Sequence, residues 1–318
     1  MAMTTKLVNR RVLVIGGTGF VGRHVCAALT AVGADVSVLA RRMPGSPGPP
    51  AQVLDITGTD PQEIARLVRR SRADVVVNCA GAVWQPTPAE LEAGNVELVR
   101  RLTRGLAGLR PAPLLIQLGS VHEYGAGAGD GPTPETFATG PVTDYGRSKL
   151  RGTEVALAAS RDGEPAAVVL RAANTTGPGL PRGSLLGGVA GRLADFARGP
   201  RPAGAVLELD LPPLTAQRDF VDIRDLADAV VAAAAAPVEA VRGEVLNIGS
   251  GRALPVRHLV DRLVALSGLP VRITDRPGGT ARRDVDLLLL DTAKAHKLLG
   301  WEPRRDLDAS LSDMLTTA

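Results

Sequence analysis

Aromatic residues are scarce in this chain: four phenylalanines, two tyrosines and two tryptophans make up 3% of it. A core without large rings has to be filled by valine, leucine and alanine, which suits parallel strands buried under helices on both faces. Lysine is also rare, present only as Lys6, Lys149, Lys294 and Lys297. The formal net charge is +4, with cations and anions interspersed. No Lys/Arg block of the kind that tracks a phosphate backbone is present, so no nucleic-acid partner is expected. The cysteines are two, Cys26 and Cys79, and neither has a Cys or His at metal-ligand spacing. That excludes a disulfide framework and a structural metal, and reads as reduced, buried thiols in a reducing compartment. No apolar run is long enough to span a bilayer; the alanine-rich stretch 229–237 is short and follows a charged segment. Residues 1–10 are polar and too short for a signal peptide. A cytoplasmic protein with no membrane partner is expected.

At 318 residues the chain is long for one core and short for three. Its first half alternates strands and helices. Strands are predicted at 12–15, 35–39, 52–55, 75–79, 114–118 and 166–170. Helices are predicted at 21–32, 61–70 (with Asp60 as cap and Pro61 opening the first turn), 89–106 and 145–159. That alternation implies right-handed crossovers and a parallel sheet covered on both faces. The fold class is therefore α/β, a Rossmann-type doubly wound parallel sheet with a smaller C-terminal α/β substrate lobe. The second half is less regular, with helices expected at 184–197, 223–236, 256–266 and 293–299 and strands at 206–209 and 244–248. A dinucleotide-binding domain over 1–172 follows, with the chain returning to it at about 219–248, and a substrate lobe formed mainly by 173–318.

The first strand runs directly into Gly16-Gly17-Thr18-Gly19-Phe20-Val21-Gly22, which opens a helix. Gly16 allows the tight turn, Gly19 lets the backbone approach a pyrophosphate, and Gly22 lets helix and strand pack closely. The helix N-terminus supplies free N–H groups and positive potential for phosphates. Binding of a free ribose 2′-hydroxyl calls for a carboxylate about twenty residues on. The sequence instead reads Leu39-Ala40-Arg41-Arg42 there. Two guanidinium groups suit a 2′-phosphate, so NADP(H) is favoured over NAD(H).

Tyr145 and Lys149 stand four residues apart in a predicted helix, on one face and about a turn from each other. Reducing a ketone needs hydride on carbon and a proton on oxygen, and a phenol can deliver the proton. A neighbouring ammonium and a cationic nicotinamide are expected to lower the phenol pKa toward neutrality. With four lysines in the chain, a chance partner for a given tyrosine at this spacing is on the order of one in eighty. Ser120 closes the fifth strand, at the carboxyl edge where ligands of such sheets sit, and its hydroxyl can hold the reacting oxygen beside Tyr145.

On these residues the chain resembles the extended short-chain dehydrogenases/reductases, the branch that includes nucleotide-sugar epimerases, dehydratases and ketoreductases. The resemblance extends through Asp55, Asn78-Cys79-Ala80-Gly81, Asn95, Ser120 with Tyr124-Gly125, and Arg171-Ala172-Ala173-Asn174 with Gly177-Pro178. It continues in Arg218-Asp219-Phe220-Val221, Asn247-Ile248-Gly249-Ser250-Gly251 and Leu299-Gly300-Trp301. It implies that Asp55 binds the adenine amine beside Ile56, and that Cys79, Ala80, Gly81, Asn95 and Lys149 join Gly16, Thr18, Gly19, Phe20, Val21 and Gly22 around the cofactor. Asn174 and Arg218, helped by Arg282 or Arg283, would meet a substrate diphosphate, and a homodimer through the two helices flanking the catalytic region is implied as well. The chain also departs from the family pattern. Sugar 4,6-dehydratases carry Asp-Glu directly after the catalytic hydroxyl residue, where Val121 and His122 stand here, so dehydration is disfavoured. The combined epimerase-reductases use an acid/base residue two places after the serine, a role open to His122, and a His just beyond Gly-Pro, where Gly179 stands. The stretch 206–217 carries Pro212-Pro213 in place of the usual glycine pair, so the family's substrate rim does not transfer.

Three functions remain open: an NADPH-dependent ketoreductase of a nucleotide-activated, dTDP-linked keto-deoxysugar at C4, a nucleotide-sugar 4-epimerase with internally recycled NAD, and a non-catalytic dinucleotide-sensing regulator. Arg41 and Arg42 favour the first, and an intact Ser120, Tyr145 and Lys149 count against the third.

Overall fold

The computed structural model describes residues 7–42, 48–83, 86–127, 129, 131–200, 202, 204–275 and 287–318. Seven parallel strands form the main sheet: β1 (Arg11–Ile15), β2 (Asp35–Ala40), β3 (Ala51–Val53), β4 (Val75–Asn78), β5 (Leu114–Ser120), β6 (Ala167–Ala172) and β10 (Val245–Ile248). Their order is β10-β6-β5-β4-β1-β2-β3. It reverses between β1 and β4, and ligands of doubly wound sheets bind at the carboxyl ends beside such a reversal.

Valine and leucine at alternating positions explain why the sheet holds two helix layers. Val12 and Val14 of β1 join one apolar cluster, while Leu13 and Ile15 join another on the opposite face. The first cluster is completed by α1 (Phe20–Ala31) and α7 (Ile223–Ala235), whose small side chains let the two helices pack on each other. The second is completed by α2 (Pro61–Ser71), α4 (Leu98–Leu106) and α5 (Asp144–Arg161). Every residue of β5 is buried.

The predicted long helix 89–106 is three pieces: α3 (Pro88–Glu92), a π-helical turn over Ala93–Glu97, and α4. The π turn carries Asn95, whose amide meets both backbone groups of Ala82. Such inserted turns recur where a side chain must be re-aimed at a site. The predicted strand 52–55 lies one or two residues early, as β3.

A second group of elements lies beyond β6. A small sheet joins β7 (Asn174–Thr176), β9 (Gln217–Asp222), β11 (Ala253–Pro255) and β13 (Leu287–Leu288), and β8 (Leu207–Leu211) pairs with β12 (Val271–Asp275). A third apolar cluster links α6 (Leu185–Arg198), α9 (Val256–Ser267) and α11 (Leu307–Thr317). A short helix α8 (Val238–Val241) follows α7, and α10 (Ala293–Leu299) leads to Trp301, whose indole N–H donates to the Asp225 carbonyl at 2.9 Å. Residues 219–222, expected at the start of the return to the main sheet, belong instead to β9 of the small sheet; α7 and β10 carry the chain back. Among the described residues no helix is long and apolar enough to cross a membrane.

α2 begins as expected: Asp60 accepts the Gln62 N–H at 2.7 Å, with Pro61 in the first turn. It ends on Arg72, exposed and held at φ 50°, a left-handed conformation that costs a side chain with a Cβ. Replacing Arg72 by glycine should stabilise the protein by roughly 0.5 to 1 kcal/mol. The expected readout is a higher urea midpoint with an unchanged slope.

Candidate active site

The carboxyl ends of β1, β4 and β5 converge with the first turns of α1 and α5. Gly16 follows β1 at φ +74°, and a Cβ on it would lie 2.9 Å from the Ala80 backbone. A Cβ on Gly22 would fall 2.1 Å from the Gly16 carbonyl oxygen, inside the turn itself. Gly19 caps α1 without a side-chain acceptor, and the first turn carries no acid. Its N–H groups therefore face the cleft unspent, with Thr18 and Gly19 exposed at the tip and Phe20 and Val21 rooted in the core. This cradle of bare backbone and helix N-terminus fits a dinucleotide pyrophosphate.

Arg41 and Arg42 stand exposed just beyond β2. Asp55 accepts the Thr57 hydroxyl at 2.7 Å and the Thr57 N–H at 3.1 Å. Those bonds, the hydroxyl foremost, together with nearby Arg41, hold its carboxyl below the usual carboxylate range. Ile56 is buried beside it. After β4, Cys79 donates its N–H to the Ile15 carbonyl at 2.9 Å, and burial pushes its thiol far up. Asn95 is buried, with its amide given to Ala82 and, at 2.9 Å, to the Ser148 hydroxyl. It therefore braces the wall formed by Ala80 and Gly81, since a Cβ on Gly81 would meet its oxygen at 2.8 Å.

Tyr145 and Lys149 sit in the first two turns of α5, whose cap Thr143 accepts the Gly146 N–H at 3.0 Å. Gly146 lies flush on the 3-10 turn Val121–Glu123: a Cβ there would be 2.5 Å from the His122 carbonyl oxygen. This close approach brings the Tyr145 phenol into hydrogen bonding with the Ser120 hydroxyl. Ser120 Oγ also accepts the His122 N–H at 3.3 Å. Lys149 Nζ is buried and donates to the Leu118 carbonyl at 2.6 Å. A buried amide chain reaches the same carbonyl: Asn78 accepts the Ala80 N–H at 3.2 Å and donates to Gln117 at 2.8 Å, and Gln117 donates to Leu118 O at 2.9 Å.

Burial dominates the electrostatics of the pair. Burial pushes the Tyr145 phenol up to about 12, the Ser120 hydrogen bond works against that rise, and Glu123 adds to it. Burial lowers the Lys149 ammonium, while Glu123 opposes the fall. The lysine is committed to a backbone carbonyl, and desolvation is the largest influence on the phenol. A phenol so placed stays protonated at neutral pH.

His122 stands edge-on to the Tyr145 ring, centroids 5.8 Å apart. Asn174 and Arg218 lie on the adjacent strands β7 and β9. Asn174 donates to the Asp219 carbonyl at 3.3 Å, and buried Arg218 donates to its neighbour Gln217 O at 2.8 Å. The Asp219 carboxylate is spent on Ser250, Gly251 and Leu290, and that of Asp222 on Arg224. Arg282 and Arg283 lie outside the described residues. Among the described residues no group of three or more His, Cys, Asp or Glu could hold a metal. Sequence reasoning overlooked Glu123, Gln117 and the Asn78 and Asn247 side-chain bonds. Glu123 follows Ser120 by three residues, the spacing of a capping box, and that was the available signal.

Residues 12–249 match the family model of the NAD dependent epimerase/dehydratase family. A dTDP-6-deoxy-L-talose 4-dehydrogenase (NAD(P)(+)) of Kitasatospora kifunensis is 41% identical over 96% of this chain and 95% of its own. A UDP-glucose 4-epimerase of Azospirillum brasilense is 30% identical over 93% and 88% of the two chains. The solved UDP-glucose 4-epimerase of Stenotrophomonas maltophila, with bound NAD and formylated UDP-arabinopyranose, superposes with a TM-score of 0.80. It is 25% identical, and the match covers 97% of each chain.

The glycine cradle makes its own prediction. Gly22→Ala should weaken dinucleotide binding by roughly tenfold or more, because the methyl must displace the Gly16 carbonyl. Calorimetric titration of the purified variant measures this; binding at the parent affinity would contradict it.

Proposed function

The chain belongs to the NAD dependent epimerase/dehydratase family, and on that premise we propose that it is an NADPH-dependent ketoreductase acting at C4 of a dTDP-linked keto-deoxysugar. It is an NAD(P)-dependent oxidoreductase of the extended short-chain class that modifies nucleotide sugars. The observation that carries the finer reading is the protonated Tyr145 phenol held against the Ser120 hydroxyl. A group that keeps its proton to a pKa of about 12 is a donor, and a donor is what carbonyl reduction needs first.

In this reading, the Ser120 hydroxyl and the Tyr145 phenol both hydrogen-bond the sugar ketone oxygen. Tyr145 passes its proton to that oxygen as the alkoxide forms. The reduced nicotinamide, when bound, supplies the hydride. Lys149, one turn along α5 and anchored on Leu118 O, is the ammonium assigned to steady the charge that Tyr145 is left with. Arg41 and Arg42 receive the 2′-phosphate, and Asp55 with Ile56 holds the adenine. Asn174 and Arg218 meet the substrate diphosphate, with Arg283 a further candidate. His122, beside Tyr145, lines the sugar pocket. Val121 and His122 leave no carboxylate pair after Ser120 for eliminating water. The Kitasatospora relative is named for 4-dehydrogenation of a dTDP-6-deoxysugar, and that reaction run backward is reduction of a C4 ketone.

Purified protein given NADPH and a dTDP-4-keto-6-deoxyhexose should oxidise the cofactor in step with the loss of ketone. Tyr145→Phe should lower kcat by about 100-fold or more. Copurified NAD with interconversion of sugar isomers, and no net cofactor use, would replace this reading with the epimerase. A wild-type protein that turns over no ketone would point to a dinucleotide sensor. Because the phenol remains protonated, kcat/KM for reduction should be flat between about pH 6 and about pH 9. Arg41→Ala with Arg42→Ala should raise the NADPH Kd about 10- to 100-fold and leave that for NADH within about twofold.

A further inference from the structure

Glu123 is fully buried, one 3-10 turn after Ser120, and paired with Arg171. Both of its oxygens are used. Oε1 accepts the Ser120 N–H at 2.8 Å and the Thr153 hydroxyl at 3.0 Å, and Oε2 accepts Arg171 Nε at 2.7 Å. Arg171, on β6, is itself buried. Its guanidinium lies 4.5 Å over the centre of the Tyr124 ring. The Tyr124 hydroxyl donates to Asn247 at 2.8 Å, and Asn247 in turn donates to the carbonyls of Thr133 at 2.9 Å and Asp291 at 3.1 Å. One continuous run of polar contacts thus links the Ser120 backbone across β5, β6 and β10.

Taking two charges out of water is expensive, and apolar residues of similar volume commonly stabilise a core as well. Stability alone therefore does not account for the pair. Its placement does: Glu123 grips the backbone of the residue whose hydroxyl meets the candidate acid, and is itself held by Thr153 of α5 and Arg171 of β6. We propose that Glu123, clamped by Arg171, is a positioning residue that fixes the Ser120 backbone and so keeps the Ser120 hydroxyl on the Tyr145 phenol. The inference rests on the reading of Ser120, Tyr145 and Lys149 as the reacting set.

Tyr145 faces Ser120, His122 and Glu123, while Lys149 faces the Leu118 carbonyl, Glu123 and Cys79. The negative charge of Glu123 raises both the phenol and the ammonium, which favours their protonated forms.

The chain has only two tyrosines, Tyr124 and Tyr145, so fluorine NMR of protein labelled with 3-fluorotyrosine gives two resonances, assigned with Tyr145→Phe. Two variants are compared with the parent holoenzyme. Glu123→Gln keeps the shape and removes the charge; Glu123→Leu with Arg171→Met removes both charges, and so folds even where the single change strands Arg171. In either, the Tyr145 resonance should move, and its titration should fall to lower pH in Glu123→Gln. The kcat should drop about tenfold or more, while the cofactor Kd and substrate KM stay within about twofold. A folded double variant with the parent Tyr145 resonance overturns the inference, as does one with a moved resonance and parental kcat. The resonance needs no turnover, so a wild-type protein inactive on sugar ketones would sink the ketoreductase reading while the fluorine shift still decided whether Glu123 positions Ser120.

Discussion

The carboxyl end of β5 is the constraint on which the site depends. That strand pairs with β4 as far as Gln117 and with β6 to its end at Ser120, and it is buried along its length, which restrains its last three residues. Leu118 offers the carbonyl that holds Lys149 and the Gln117 amide, to which Asn78 donates in turn. Gly119 leaves the space into which the Glu123 carboxylate fits, its Cβ position lying 2.8 Å from Oε1. Ser120 then presents one hydroxyl to the phenol and one N–H to the carboxylate. Positions that in a loop would need support of their own are fixed here by a parallel sheet.

The helix carrying Tyr145 and Lys149 is positioned by missing side chains as much as by those present. Gly146 lets the first turn of α5 rest on the 3-10 turn after Ser120. Gly152 does the same against the π turn, where a Cβ would be 2.2 Å from the Asn95 carbonyl oxygen. Asn95 and Ser148 bond across that contact. Cofactor wall, helix and strand end are therefore one packed unit, and a change of one methyl at these seams is felt at the phenol.

Much of this was legible in the sequence because it depends on local pattern. The alternation of valine-rich strands with amphipathic helices, the Asp60-Pro61 start and the glycine loop all carry their structural meaning within a few residues. The parallel sense of the sheet followed from the same alternation. The short strands β7, β11 and β13 could not be read that way, since two or three residues carry no period and their partners lie far away in the chain. The π turn was hidden because Ala93-Gly94-Asn95 is compatible with an unbroken helix, and only the pull of Ala82 on Asn95 shows the extra residue. The packing around Tyr145 was hidden for a similar reason. Spacing placed an ammonium nearby, but it could not show that Leu118 O takes the lysine or how densely the phenol would be packed.

Cys26 lies in α1, its sulfur 3.1 Å from where a Cβ on Gly17 would stand, and Cys79 follows β4. Burial pushes the Cys26 thiol to about 11, which leaves about one molecule in ten thousand as thiolate at pH 7; Cys79 is raised further. Peroxide, electrophiles and disulfide exchange all act on the thiolate. The sulfur packed behind the glycine loop and after β4 is therefore chemically quiet, and the packing there should outlast an oxidant burst that would disable a neighbour with an exposed, acidic cysteine.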